Sequence, residues 1–203
     1  MDAPVYNVLF LCTGNSARSI MAEAILNHLG KGRFRAFSAG NRPTGEVHPL
    51  ALDRLKQVGL PCESARSKGW GEFTREGAPI MDFVFSLCDT AHQEACAIGW
   101  PGEPITAHWG IPDPAAISDD EGGRYHAFQV AFLHLQNRIA LFLTLPIQSI
   151  DRLSLHPQAG GDRPSREGPG SAQKHWLKGW DVQARFHADF TRTACLTQRF
   201  HRP

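Results

Sequence analysis

Within eight residues, Cys12-Thr13-Gly14-Asn15-Ser16-Ala17-Arg18-Ser19 places a sulfur nucleophile, a loop of small residues and a guanidinium side by side. The apolar run Val8-Leu9-Phe10-Leu11 before it reads as a buried strand, and Ser19-Ile20-Met21-Ala22-Glu23-Ala24-Ile25-Leu26 after it as a helix. The loop between them sits at a helix N-terminus, where unpaired backbone N–H groups and the helix dipole attract an anion. Thr13, Gly14, Asn15, Ser16, Ala17 and Arg18 are thus expected to cradle an oxyanion beneath the Cys12 sulfur. Gly14 is expected to supply the positive φ that folds such a loop tightly. Arg18 adds a planar, two-pronged donor suited to a tetrahedral anion such as phosphate or arsenate. The same field favours a negatively charged, nucleophilic sulfur at Cys12.

A second chemical group lies at His108-Trp109-Gly110-Ile111-Pro112-Asp113-Pro114. Asp113, stiffened by a proline on each side, could protonate an oxygen leaving the anion site, a role in which rigid placement matters most. Two further thiols, Cys88 and Cys96, follow the apolar run Phe83-Val84-Phe85-Ser86-Leu87. If they lie on the same edge as Cys12, thiolate attack can pass a disulfide from one to the next. Read as residues alone, they fit such a relay and the plainer reading equally, in which Cys88 is buried strand packing and Cys96 an incidental loop thiol. Their spacing is too wide for a metal knuckle, and the histidines show no ligand spacing, so no metal site is expected. Cys62 and Cys195 carry no supporting motif.

The elements that must position these groups alternate. Strands are predicted at Val5–Leu11, Phe34–Ala39, Phe83–Leu87 and Ile105–His108, with helices at Ser16–Leu29, His48–Val58 and Tyr125–Leu145. The last helix has the clearest pattern, because Tyr125, Phe128, Phe132, Leu135, Ile139 and Phe142 fall on one face. This order predicts an α/β fold: a four-stranded parallel sheet with helices on both faces. Ligands of such sheets bind beyond the carboxyl ends of the strands, where Cys12 stands.

The chain has 203 residues, 42% hydrophobic and 20% charged, with a formal net charge of +1. Nothing in this balance points to nucleic acid, no apolar stretch is long enough to span a membrane, and no signal peptide is expected ahead of the first strand. Five cysteines without dense spacing do not form a secreted disulfide scaffold, so a reducing cytoplasm is expected. Composition changes near Leu155. Residues 1–155 read as one domain, whereas His156–Gln173 is rich in Gly and Pro and opens a tail, 156–203, expected to be poorly ordered. From Asp151 onward nine Lys/Arg face five Asp/Glu, interleaved with Trp176, Trp180, Phe186, Phe190 and Phe200. Nucleic-acid and membrane-surface binders use such features, but a tail without a specific partner is the simpler expectation.

The Cys12–Ser19 loop together with Asp113-Pro114 resembles the low-molecular-weight protein tyrosine phosphatase superfamily. Phe37-Ser38-Ala39-Gly40, Arg66-Ser67-Lys68, Phe85-Ser86-Leu87-Cys88-Asp89 and His108-Trp109-Gly110-Ile111-Pro112-Asp113-Pro114-Ala115 make the chain similar to thioredoxin-coupled-type arsenate reductases within it. The resemblance runs from about Val5 to about Leu155. It implies that Cys12 attacks arsenate with Asp113 as general acid, that Cys88 then releases arsenite by forming a Cys12–Cys88 disulfide, and that Cys96 resolves it. It implies Ser19 hydrogen-bonded to the Cys12 thiolate and Asn15 bracing the loop. It also implies an external reductant (thioredoxin, glutaredoxin or a small thiol) and, from some members, a potassium ion near Asn15, Glu23 and Ser38. A monomer is expected. Ala17 and Ala115 stand where phosphatases of the superfamily often carry a cysteine and an aromatic residue, and the Cys88–Cys96 spacing is one longer than in the best-known thioredoxin-coupled members. The alternatives are a phosphatase working through a phosphocysteine and a non-catalytic oxyanion-binding regulator.

Overall fold

The computed structural model describes residues 4–117 and 120–147. Four strands, β1 (Tyr6–Cys12), β2 (Phe34–Gly40), β3 (Phe83–Ser86) and β4 (Ile105–His108), form one sheet in the order β2-β1-β3-β4. Every pairing is parallel, with Cys12 opposite Gly40 and Leu11 opposite Ser86. The chain also forms α1 (Arg18–Leu29), α2 (Pro49–Gln57), α3 (Asp89–Ala95) and α4 (Glu121–Leu143), plus 3₁₀ turns at Trp70–Phe73 and Pro114–Ala116. The parallel α/β architecture read from the sequence is the one observed.

Strand β1 lies inside the sheet and is buried on both faces from Val8 to Cys12, which is why that run is continuously apolar rather than alternating. Its odd and even residues enter two different cores. Val8, Phe10 and Cys12 pack with Ile20, Met21 and Ile25 of α1 and with Phe128, Phe132, Leu135, Ile139 and Phe142 of α4. Leu9 and Leu11 point the other way, toward Val84, Phe73, Ala91, Ala95 and Trp100. Burial of each large side chain in these cores stabilises the fold by about 1.5–3 kcal/mol. The α4 stripe is buried except at Tyr125, which is only partly covered and hydrogen-bonds Gln57 through its hydroxyl at 2.5 Å.

Of the elements that were not foreseen, two build the second face of the sheet. Helix α3 covers the second face with nothing larger than Ala91 and Ala95, so it carries no large-residue periodicity. The Trp70–Phe73 turn completes that face through Phe73, with Trp70 edge-on to Trp100. Helix α4 begins at Glu121, four residues before the predicted start, because the Asp120 side chain accepts from Gly123 N–H and caps it. Among the described residues no helix is long and apolar enough to cross a membrane. The tail predicted for 156–203, with Cys195, lies outside the described residues.

Candidate active site

Cys12 ends β1 at the carboxyl edge of the sheet and is buried. The loop that follows is held from outside by its carbonyls. Thr13 C=O accepts from Arg42 N–H (3.0 Å), Gly14 C=O from Thr44 N–H (3.0 Å) and the Ser67 hydroxyl (3.1 Å), and Ser16 C=O from His48 N–H (2.9 Å). Because a trans peptide sets N–H opposite C=O, these anchors turn the N–H groups of Gly14, Asn15 and Ala17 away from that flank. Asn15 N–H accordingly meets the Cys12 sulfur at 3.2 Å. Helix α1 starts after Ala17 with no side-chain cap, which leaves its N-terminal field for an anion.

The positive φ of the loop falls on Asn15 (φ 45°), and Gly14 is not among the residues that adopt one. This corrects the sequence expectation. Asparagine tolerates the left-handed region better than most residues, and here its side chain is needed as well. Its Nδ2 donates to Ser19 Oγ and to Ser38 Oγ, both at 2.9 Å, and its Oδ1 accepts from Lys68 N–H at 2.7 Å. The glycine that this geometry requires is Gly40, where a Cβ would stand 2.5 Å from Thr13 O. Ser19 Oγ lies 2.9 Å from Cys12 Sγ, within hydrogen-bond distance of the sulfur.

Arg18 is buried and spans the site. It donates to Ile111 C=O at 2.9 Å and to Asp113 Oδ2 at 2.7 Å, which ties the loop to the proline-flanked segment. Asp113 is fixed a second time, because its Oδ1 accepts from Ala115 N–H at 3.1 Å. The segment leading to it is anchored by Trp109, stacked on Phe85 at 4.3 Å, and by Arg138, which donates to Trp109 C=O and Gly110 C=O. Burial pushes the Arg138 pKa down. Sequence reasoning missed Arg138, whose target lies 28 residues away.

Cys88 is the N-cap of α3 and partly buried; its sulfur shares a 3.3 Å hydrogen bond with Thr13 Oγ1, beside Cys12. Cys96, the C-cap of α3, is exposed and not gathered into the cradle. The structure therefore brings together Cys12, Asn15, Arg18, Ser19, Asp113 and Cys88 and sets Cys96 apart. Cys62 is buried in the core.

Asn15, Glu23 and Ser38, the residues matched to a potassium ion, are also brought together, but with a cation of the chain's own. The buried Lys68 ammonium donates to Glu23 Oε2 at 3.2 Å and Ser38 Oγ at 3.3 Å, while Ser38 also donates to Glu23. Asn15 Oδ1 is taken by Lys68 N–H. Among the described residues, no group of three or more His, Cys, Asp or Glu could hold a metal ion.

Comparison with known proteins gives the arrangement relatives. The family profile described as low molecular weight phosphotyrosine protein phosphatase matches residues 7–151. An arsenate reductase of Shouchella clausii is 33% identical over 122 residues, 60% of this chain and 84% of the relative. A glutaredoxin arsenate reductase of Synechocystis sp. is 32% identical over 111 residues, 53% of this chain and 77% of the relative. Among solved structures, an arsenate reductase in the phosphate-binding state aligns with a TM-score of 0.52 at 27% identity, covering 68% of this chain and 95% of that one.

Proposed function

Since the chain belongs to the low molecular weight phosphotyrosine protein phosphatase family, we propose that it is an enzyme using that family's cysteine chemistry to reduce arsenate to arsenite. The Cys12 thiolate attacks arsenic(V), and an oxygen leaves as water on taking a proton from Asp113. The loop N–H groups and Arg18 hold the remaining oxygens as charge develops on them. Cys88 then attacks the Cys12 sulfur. An S–S bond forms, the S–As bond breaks, and its electron pair stays on arsenic, which departs as arsenite. Two thiols are thereby oxidised to a disulfide while arsenic(V) becomes arsenic(III).

Attack by Cys96 on Cys88 regenerates the Cys12 thiolate and leaves a Cys88–Cys96 disulfide for an external dithiol such as thioredoxin or glutaredoxin, or for a small thiol. Eight helical residues would set the Cys88 and Cys96 Cα atoms roughly 12 Å apart, beyond the ~7 Å limit of a disulfide. Helix α3 must therefore open during this step. No potassium ion belongs to this reading, because the Lys68 ammonium already stands on Glu23 and Ser38.

The observation that carries the proposal is Cys88, held by Thr13 at the rim of the cradle. A phosphatase working through a phosphocysteine needs Cys12, Arg18 and Asp113 but no second thiol there. The test is Cys88→Ser, assayed for arsenate reduction with thioredoxin and for aryl-phosphate hydrolysis. Reduction should fall by at least about 10³-fold, with residual hydrolysis within about threefold of the parent. Reduction at the parental rate would remove Cys88 from the mechanism.

A further inference from the structure

Beside α3, four polar side chains form a chain that the mechanism above does not use. Ser86, the last residue of β3, is buried, and its Oγ lies 3.0 Å from His92 Nδ1 and 3.0 Å from His108 Nδ1. The two imidazoles are neighbours, their centroids 4.6 Å apart. His108 Nε2 lies 3.0 Å from Asp89 Oδ1, and His92 Nε2 faces Cys96 Sγ at 4.0 Å, a long contact of the kind a weak thiol donor makes.

With both imidazoles in the neutral form and Asp89 an acceptor, the donors and acceptors run in one direction. A carboxylate can only accept, so His108 Nε2 carries the proton and His108 Nδ1 is left with a lone pair. The Ser86 hydroxyl, with one proton to give, donates to that lone pair at 3.0 Å in preference to the Ala107 carbonyl at 3.4 Å. Its oxygen then accepts from His92, which places the His92 proton on Nδ1. His92 Nε2 is therefore the bare nitrogen, and it is the one turned toward the Cys96 thiol. From this geometry we propose that His92 is the general base that deprotonates Cys96, with Ser86, His108 and Asp89 as positioning residues that fix its tautomer.

The inference rests on the Cys96 relay described above and adds its proton step. The Cys96 S–H proton passes to His92 Nε2, and the resulting thiolate attacks Cys88 of the Cys12–Cys88 disulfide. The Cys88–Cys96 bond forms, the Cys12–Cys88 bond breaks, and the electron pair returns to Cys12. The charge left on His92 faces Asp89 through Ser86 and His108. Burial, then the neighbouring His108, lower the His92 pKa, and Asp89 opposes them, so the ring is kept in the neutral form a base requires. Glu94, on the same helix, is engaged by Asn41 and Arg42.

The test is His92→Gln, with iodoacetamide alkylation of each cysteine followed separately by mass spectrometry. Cys96 should alkylate about 10-fold more slowly at pH 7, less than the 10²–10⁴ of a fully enclosed base because this thiol meets water. The deficit should vanish at pH 10, where hydroxide can take the proton in place of His92, and Cys12 should be unaffected at both. Asp89→Asn, which leaves His92 in place, should shift Cys96 in the same direction by about 2–3-fold. In turnover, His92→Gln should slow steady-state reduction while leaving the first burst of arsenite intact. Unchanged Cys96 alkylation at pH 7, or equal slowing at pH 7 and pH 10, overturns the proposal. Parental steady-state reduction by Cys96→Ser would instead sink the relay itself, and the alkylation result would still decide the base.

Discussion

The cradle around Cys12 and the edge around α3 sit side by side yet are built on opposite principles. In the cradle, Asn15, Ser19 and Ser38 are fully buried, and the loop carbonyls of Thr13, Gly14 and Ser16 are each tied to a neighbouring segment. At the α3 edge, Cys88 is half-buried, Cys96 is exposed, and the helix between them has seven residues with only alanines to bury. On the proposed mechanism, the difference follows from what each must do. Stabilising charge on an oxyanion needs donors that are already in place. Passing a disulfide needs sulfur atoms that can approach one another, and such segments come from the less stable parts of a fold. Changes in the cradle should therefore damage every reaction of Cys12 alike, whereas changes at the edge should damage the redox steps alone.

Within the cradle, the largest expected effect tests the first half of that contrast. Asp113→Asn should lower arsenate reduction and aryl-phosphate hydrolysis together by about 100-fold or more, the lower range for a positioned acid. If steady-state kinetics showed one activity spared, the acid would not serve a step that the two share. Next in size is Gly40→Ala. Its new Cβ meets Thr13 O at 2.5 Å, a backbone atom that cannot swing aside. Overpacking of this kind costs about 1–3 kcal/mol, which thermal unfolding should register as a Tm loss of roughly 2–12 °C. Both activities should fall with it, since the displaced atom belongs to the cradle. An unchanged Tm would mean that the loop is softer than its hydrogen bonds imply.

Lys68 provides a more selective probe. Removing the ammonium with Lys68→Met leaves Glu23 facing Ser38 and Asn15 without a buried cation. Activity should drop by about 3–10-fold in sodium buffer and recover in potassium buffer, whereas the parent enzyme should be indifferent to the exchange. A parent enzyme that responded to potassium as strongly as the variant would contradict the reading of Lys68 as the resident cation.

What the sequence disclosed divides along the same line as the two regions. The Cys12–Ser19 loop was legible because eight contiguous residues carry its chemistry between a strand and a helix, and the α4 stripe because large apolar residues mark its face. Helix α3 was not, because Ala91 and Ala95 leave no periodic signal. Assigning the left-handed residue to Gly14 followed the usual preference, but Asn15 adopts it because its side chain bonds Ser19, Ser38 and Lys68 from that position. Lys68 could not be seen as a cation for Glu23, 45 residues earlier, since no local pattern links them. The same holds for His92 and Ser86, which are meaningful only once β3 and β4 are paired and His108 is beside them.

The smallest expected effect concerns His48, which belongs to the rigid region. Its Nδ1 accepts from Leu50 N–H and caps α2, and its ring stacks on Phe128 at 4.6 Å. Burial and then Arg124 lower its pKa, with Asp113 opposing them. A histidine whose folded pKa lies below its unfolded value binds a proton less readily when folded, so its contribution is fully present above about pH 6.5 and is lost as pH falls through the folded value. Protonation also removes the lone pair that caps α2. Between pH 7.5 and pH 5.5 the Tm should therefore decline, and His48→Asn, which keeps a cap acceptor but cannot titrate, should lessen that decline by about 2–4 °C. His92 shifts in the same direction, so the slope should shrink without vanishing. An equal decline in His48→Asn would move the pH sensitivity out of the cradle and onto the α3 edge.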